Sequence, residues 1–313
     1  MKISKVSVIL IKLAIILTIV LFIGKTVVTD WQAVRSYEWR IQPVYLVLSC
    51  MGFLVSFSFL VWIWRSVLTA FGYPIPYREA WSIYFIGNLG RYIPGKIWTV
   101  AGVAYMAGKS GVPAVIAGTA AVCAQAYSIL SSFVFFVLFF ILRNQVFSGV
   151  TFLWTLPVPF VLIVVFLVPG NLERALNVVL IRFGKERITL NISTAAALKI
   201  TLYYLVSWLL FGVSFWFLVT SVAGQGLFNP FYLSGAFAVS YIIGYLAFFA
   251  PGGIGVREGM LSLLLAGTVS TGVAAVLAVL LRLIITVVEL GCAATVLSRK
   301  GVLYGKKEKE ART

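Results

Sequence analysis

The chain contains no histidine, only nine Asp and Glu residues among 313, and 11% charged residues in all. Soluble domains carry about a quarter. Without histidine, the commonest metal ligand and neutral-pH proton shuttle is missing. Cys50, Cys123 and Cys292 stand alone within apolar segments. Their spacing matches neither a disulfide framework nor a metal site, so they read as small buried residues. No metal or other cofactor is implied. No nucleotide-binding motif is evident, and no stretch shows the short alternating strands of a membrane barrel.

Apolar sequence dominates instead. Hydrophobic residues make up 61% of the chain. They gather in runs over 8–28, 44–64, 112–142, 153–168, 200–220 and 272–297. A bilayer core needs about 20 apolar residues as helix, and backbone groups in lipid must bond within their own segment. The runs therefore predict an all-α integral membrane protein. The first is too long for a signal peptide and lacks a small-residue cleavage site, so it reads as a retained span.

The formal net charge is +16. Its location argues against nucleic acid as partner. With the amino terminus in the cytoplasm, sixteen Lys and Arg fall on that side, four outside and five within apolar stretches. This asymmetry predicts a cell-membrane protein with both termini cytoplasmic, and an even number of crossings. The basic clusters can also attract anionic lipid. Residues 299–313 read as a basic, solvated cytoplasmic tail.

Two apolar regions, 79–109 and 231–267, are each broken by Pro-Gly near the middle. Proline removes a helical donor, and glycine permits a reversal. Both read as re-entrant helical hairpins. The alternative is a pair of kinked full spans. A shift of 157 residues aligns Gly87 with Gly244, Pro94 with Pro251 and Gly95 with Gly252, six identities in sixteen positions. The same shift lays 44–64 on 201–221 and 112–142 on 269–299. The chain thus reads as a single membrane domain of two halves, 1–150 and 151–313. Each half holds three spans and one hairpin, giving six spans plus two hairpins, or eight spans by hydropathy alone. An odd number of crossings per half inverts the second half against the first, the plan of many transporters.

Charge at bilayer depth is costly and faces a cavity or a partner. Arg91 and Lys96 flank Pro94-Gly95. Arg257 and Glu258 follow Pro251-Gly252-Gly253. Arg282 and Glu289 lie seven residues apart on the last run, nearly on one face. One reading is structural ion pairing, Arg282 with Glu289 or with Glu258. The other is a cavity lined by cations, with four basic against two acidic groups, suited to a phosphate-bearing ligand. The aromatics at Trp31, Tyr37, Trp39, Tyr73, Tyr77 and Trp81 read as interfacial belts.

The segments Asn88-Leu-Gly-Arg-Tyr-Ile-Pro-Gly-Lys and Pro251-Gly-Gly-Ile-Gly-Val-Arg-Glu-Gly resemble the signature segments of the lysylphosphatidylglycerol synthase transmembrane-region family. The resemblance covers essentially the whole chain. It implies movement of a lipid, or of a lipid-linked head group, between leaflets. It assigns that role to Arg91, Pro94 and Gly95, and to Pro251, Gly252, Gly253, Gly255, Arg257 and Glu258. Full synthases carry an aminoacyl-transferase domain after the membrane region. Here a short basic tail follows, so no aminoacyl-lipid synthesis is expected. The leading expectation is a translocator of an anionic phospholipid or polyprenyl-phosphate-linked lipid. The alternatives are a secondary transporter of a small soluble anion, and a non-catalytic partner of a lipid- or glycan-modifying enzyme. An enzyme in its own right is disfavoured, because Glu258 and Glu289 are the only deep carboxylates and no histidine assists them.

Overall fold

A computed structural model describes residues 21, 24, 25, 27–93, 97–142, 168–182, 184, 187, 189, 192–247 and 250–310. Nearly all of the predicted spans 8–28 and 153–168 lies outside the described residues. Within them every element is helical. In chain order these are α1 (Trp31–Ser36), α2 (Pro43–Ala70), α3 (Tyr77–Asn88), a 3-10 turn (Leu89–Tyr92), α4 (Ile97–Gly108), α5 (Ala114–Leu142) and α6 (Pro169–Arg182). Then follow α7 (Thr194–Ala223), α8 (Pro230–Leu246), a second 3-10 turn (Pro251–Gly253), α9 (Val256–Leu265) and α10 (Thr271–Glu310). Four helices are long and apolar enough to cross a membrane: Pro43–Ala70, Ala114–Phe139, Thr194–Ala223 and Thr271–Ser298. Helix α10 continues beyond its apolar part through most of the basic tail.

Local chemistry sets the helix starts. Pro43 and Pro230 occupy first turns, where the missing N–H breaks no helical bond. Asn229 accepts from Tyr232 N at 2.7 Å, and Ser193 accepts from Ala196 N at 3.1 Å. Asp30 accepts from Gly272 N at 2.9 Å and from the Thr271 hydroxyl, which ties the segment before α1 to the start of α10.

Lipid supplies no hydrophobic drive between spans, so association depends on close packing of small residues and on buried hydrogen bonds. Helices α2 and α7 form the central pair. Gln42 N donates to Ser221 O at 2.8 Å, Ser49 Oγ to Ser214 O at 2.8 Å, and Trp62 packs on Tyr203 with ring centroids 4.4 Å apart. Residue numbers rise on one helix as they fall on the other, so the pair is antiparallel. Gly52 lies directly beneath Ser214. Helices α5 and α8 are likewise antiparallel: Gln125 bonds Tyr241 at 3.0 Å, and Phe139 meets Tyr232 with centroids 4.9 Å apart.

The two Pro-Gly regions each fold as an antiparallel helical hairpin. In the first, Gly87 lies against Val103 and Gly90 against Trp98. A Cβ on Gly87 would sit 2.7 Å from Val103 N, so the arms touch backbone to backbone. In the second, Tyr232 Oη donates to Leu264 O at 2.8 Å, and Gly244 lies against the Arg257 side chain. The arms of the first hairpin are twelve residues each, about 18 Å as helix. Those of the second are seventeen and ten residues.

Candidate functional site

The breaks of the two hairpins meet. A Cβ on Gly252 would lie 3.1 Å from Arg282 Nη2 and 3.6 Å from the Arg91 carbonyl. Gly252 has a φ of 57° and Gly255 one of 82°, values that side-chain-bearing residues adopt at a cost. These glycines turn the chain so that α9 restarts beside the first hairpin. Glu258 then reaches back to accept from Gly255 N at 2.5 Å, closing the first turn of α9.

Helix α10 supplies a charge to each hairpin. Its Glu289, 2% exposed, receives Arg91 Nη2 at 3.2 Å and the Tyr92 hydroxyl at 3.0 Å. Arg91 Nε also donates to Asn88 O at 3.2 Å. Its Arg282 lies 3.5 Å from Glu258 through Nε and donates to Gly252 O at 3.4 Å through Nη2. Each of these two charges on α10 is thus offset by an opposite charge from a hairpin. The two α10 charges, seven residues apart, therefore do not pair with each other. Of the two partners considered from sequence for Arg282, the structure selects Glu258.

Arg257 is held differently. Its guanidinium lies 4.9 Å from the Tyr241 ring centroid and 5.3 Å from that of Phe237. It lies over both rings, which share one face of α8, and no carboxylate among the described residues forms an ion pair with it.

Around these groups lies a cavity of about 420 Å³. Asn88, Arg91, Pro251, Gly252, Gly253 and Arg257 line it, together with residues from α2, α5, α7 and α8. A sequence profile of the family described as Lysylphosphatidylglycerol synthase TM region matches residues 9–291. The chain belongs to this family. It is accordingly a multi-pass integral membrane domain of flippase-like type. No curated protein matches the chain.

In this lysylphosphatidylglycerol-synthase-type membrane domain, the residues singled out from sequence divide into four groups. Asn88, Arg91, Pro251, Gly252, Gly253 and Arg257 reach the cavity. Glu258, Arg282 and Glu289 do not line it. They brace the residues that do. Gly255 shapes the turn. Pro94, Gly95 and Lys96 lie outside the described residues. Sequence reasoning missed Trp64, Tyr84, Gln125, Tyr204, Trp208 and Tyr241, which form much of the wall. A usable signal existed for Gln125, an amide inside a 29-residue apolar helix. The aromatics carried none, because in a chain with 15% aromatic residues they resemble ordinary core.

Proposed function

We propose that the chain is a flippase-like lipid translocator of the cell membrane, without enzymatic activity of its own. It moves an anionic phospholipid or a polyprenyl-phosphate-linked lipid between leaflets. The observation that carries this reading is the cavity at the meeting of the two breaks, with Arg257 in it and in no ion pair among the described residues. A guanidinium held over aromatic rings rather than by a carboxylate keeps N–H donors available to phosphate oxygens. Two further lining residues, Ile93 and Val122, are 49% and 39% exposed. An apolar, exposed rim beside a cavity that holds two arginines suits a ligand whose head group enters while its tails stay in lipid.

The architecture supports an alternating-access cycle. Adding 157 to Ala114, the first residue of α5, gives Thr271, the first residue of α10. The corresponding helices α2 and α7 run antiparallel, as inverted halves 1–150 and 151–313 require. In this reading both hairpins are re-entrant, both termini are cytoplasmic, and rocking of the halves exposes the cavity to each leaflet in turn.

The test is transfer of fluorescent anionic lipids across proteoliposomes, read by quenching of the outer leaflet. Transfer well above protein-free vesicles, lost in Arg257→Gln, is expected. No transfer of any anionic phospholipid or prenyl phosphate, by protein that is folded, overturns the proposal.

A further inference from the structure

Arg257 reaches the cavity along a track on α8. Phe237, Tyr241 and Gly244 are spaced four and three residues apart, so they share one helical face. The aliphatic stem of Arg257 crosses that face at its glycine. A Cβ on Gly244 would overlap Arg257 Cγ, and one on Gly253 would lie 2.9 Å from Arg257 Cδ. The stem is thus gripped between two glycines, where any side chain would displace it. Beyond the stem, the guanidinium lies over Tyr241 and Phe237, at 4.9 Å and 5.3 Å from the ring centroids. Glu258, the next residue in the chain, is engaged with Gly255 N and Arg282. The aim of the Arg257 side chain therefore depends on neutral contacts, the two glycines and the two rings.

Tyr241 is itself held. Its hydroxyl lies 3.0 Å from Gln125 Nε2 and donates to Gln125 Oε1 at 3.1 Å. Gln125 sits within the 29-residue apolar helix α5, where a polar side chain is costly unless it finds a partner. Beside this bond, Trp208 of α7 meets the Tyr241 ring edge-on, with centroids 5.1 Å apart. Its indole N–H donates to Ser128 O and Ser131 Oγ, both at 3.1 Å. Gln125, Ser128 and Ser131 are spaced three residues apart and lie along one side of α5. Two aromatic residues from 151–313 are therefore anchored to polar groups from 1–150, and one of them carries a cation of the cavity.

We propose that Gln125 and Tyr241 form a positioning pair for Arg257, which deepens the translocator reading and rests on it. The amide holds the ring, and the ring holds the guanidinium. Neither residue needs to touch the phosphate. Bidentate binding of a phosphate by arginine depends on the orientation of a planar fork, so a guanidinium that has lost its support keeps its charge and loses its aim. The cation contributed by one half is thus set by an amide of the other, and its placement follows the seating of α5 against α8.

The experiment is binding of fluorophore-labelled short-chain phosphatidic acid and of the matching diacylglycerol to the purified full chain in detergent, read by anisotropy. The probes differ only in the phosphate, so the ratio of their affinities reports the phosphate contact. General damage to the cavity wall weakens both and leaves the ratio in place. Gln125→Leu and Tyr241→Phe remove the same bond from either end and leave an aromatic ring under Arg257. Each is expected to lower the preference for phosphatidic acid about fivefold, the order set by one hydrogen bond, and the double variant no more than either alone. Tyr241→Leu, which removes the ring as well, should lower it further, towards that of Arg257→Gln. A preference within about twofold of the parent in both single variants, or losses that add in the double variant, overturns the pairing and leaves the translocator reading standing. A parent chain with no preference for phosphatidic acid overturns both.

Discussion

Replacing Arg91 by Gln removes the cation facing Glu289, and the consequence is calculable from the geometry. The two groups lie 3.2 Å apart, with the carboxylate side chain 3% exposed and the guanidinium 27% exposed. At an effective dielectric of about 20, that separation corresponds to an attraction of about 5 kcal/mol. Much of it offsets the cost of bringing both charges out of water. The single variant loses the attraction and keeps the cost, because Glu289 is left buried with the Tyr92 hydroxyl as its hydrogen-bond donor. Losses of about 3–5 kcal/mol are typical of such half-broken pairs. Replacing both members by Gln removes charge and cost together, and most of the loss should be recovered. Unfolding of Arg91→Gln, Glu289→Gln and the double variant, titrated in mixed micelles, completes the thermodynamic cycle. An Arg91→Gln variant within about 1 kcal/mol of the parent, or losses that simply add in the double variant, would refute the account of Arg91 as the partner of Glu289.

Two other expectations concern the frame around the site. Gly87→Leu should open the first hairpin, because its Cβ would fall 2.7 Å from Val103 N, a backbone atom that cannot rotate away. A loss of about 1–3 kcal/mol, with the corresponding fall in unfolding midpoint, is expected. Asp30 accepts hydrogen bonds from Thr271 and from Gly272 N at the start of α10, and these hold its carboxyl below its ordinary value of 3.8. A lowered folded-state value means that the tie is fully present above the ordinary value and is lost as pH falls below it. Thermal midpoints measured from neutral pH downward should therefore drop in the parent over that acidic window, and Asp30→Asn should flatten this part of the curve.

The sequence allowed the helices and the two breaks to be read with little ambiguity, because hydropathy and Pro-Gly are local signals. Thr271–Ser298 falls on the predicted run 272–297 almost residue for residue, and Pro43–Ala70 starts with the run 44–64 and continues six residues beyond it. Partner choice was less legible. Arg282 and Glu289 share a helical face by spacing, and spacing alone cannot tell that one serves the second hairpin and the other the first. The division depends on which loops arrive on either side of α10, a three-dimensional fact. The cavity wall was the least legible part. Trp64, Tyr84, Tyr204 and Trp208 line it from helices that also carry core aromatics such as Phe53, Phe57 and Phe215. Nothing in composition separates an aromatic that faces a void from one that faces a neighbour.

The charge pairs also differ in what they join, and this bears on movement. Arg282–Glu258 lies wholly within residues 151–313, whereas Arg91–Glu289 links the first hairpin to the last helix. If the halves rock against each other, Arg282–Glu258 travels intact. Arg91–Glu289 must lengthen or break. Neutralising each pair in full therefore separates bracing from latching. Arg282→Gln with Glu258→Gln should alter stability while changing the rate of lipid transfer per folded molecule by less than about twofold. Arg91→Gln with Glu289→Gln should shift that rate by about tenfold or more, since breaking a contact worth about 1.4 kcal/mol in one state and absent in the other is enough for a factor of ten. Equal effects of the two double variants on the rate would mean that the halves do not separate at this contact. The movement would then have to be sought within a half, between a hairpin and its own flanking spans.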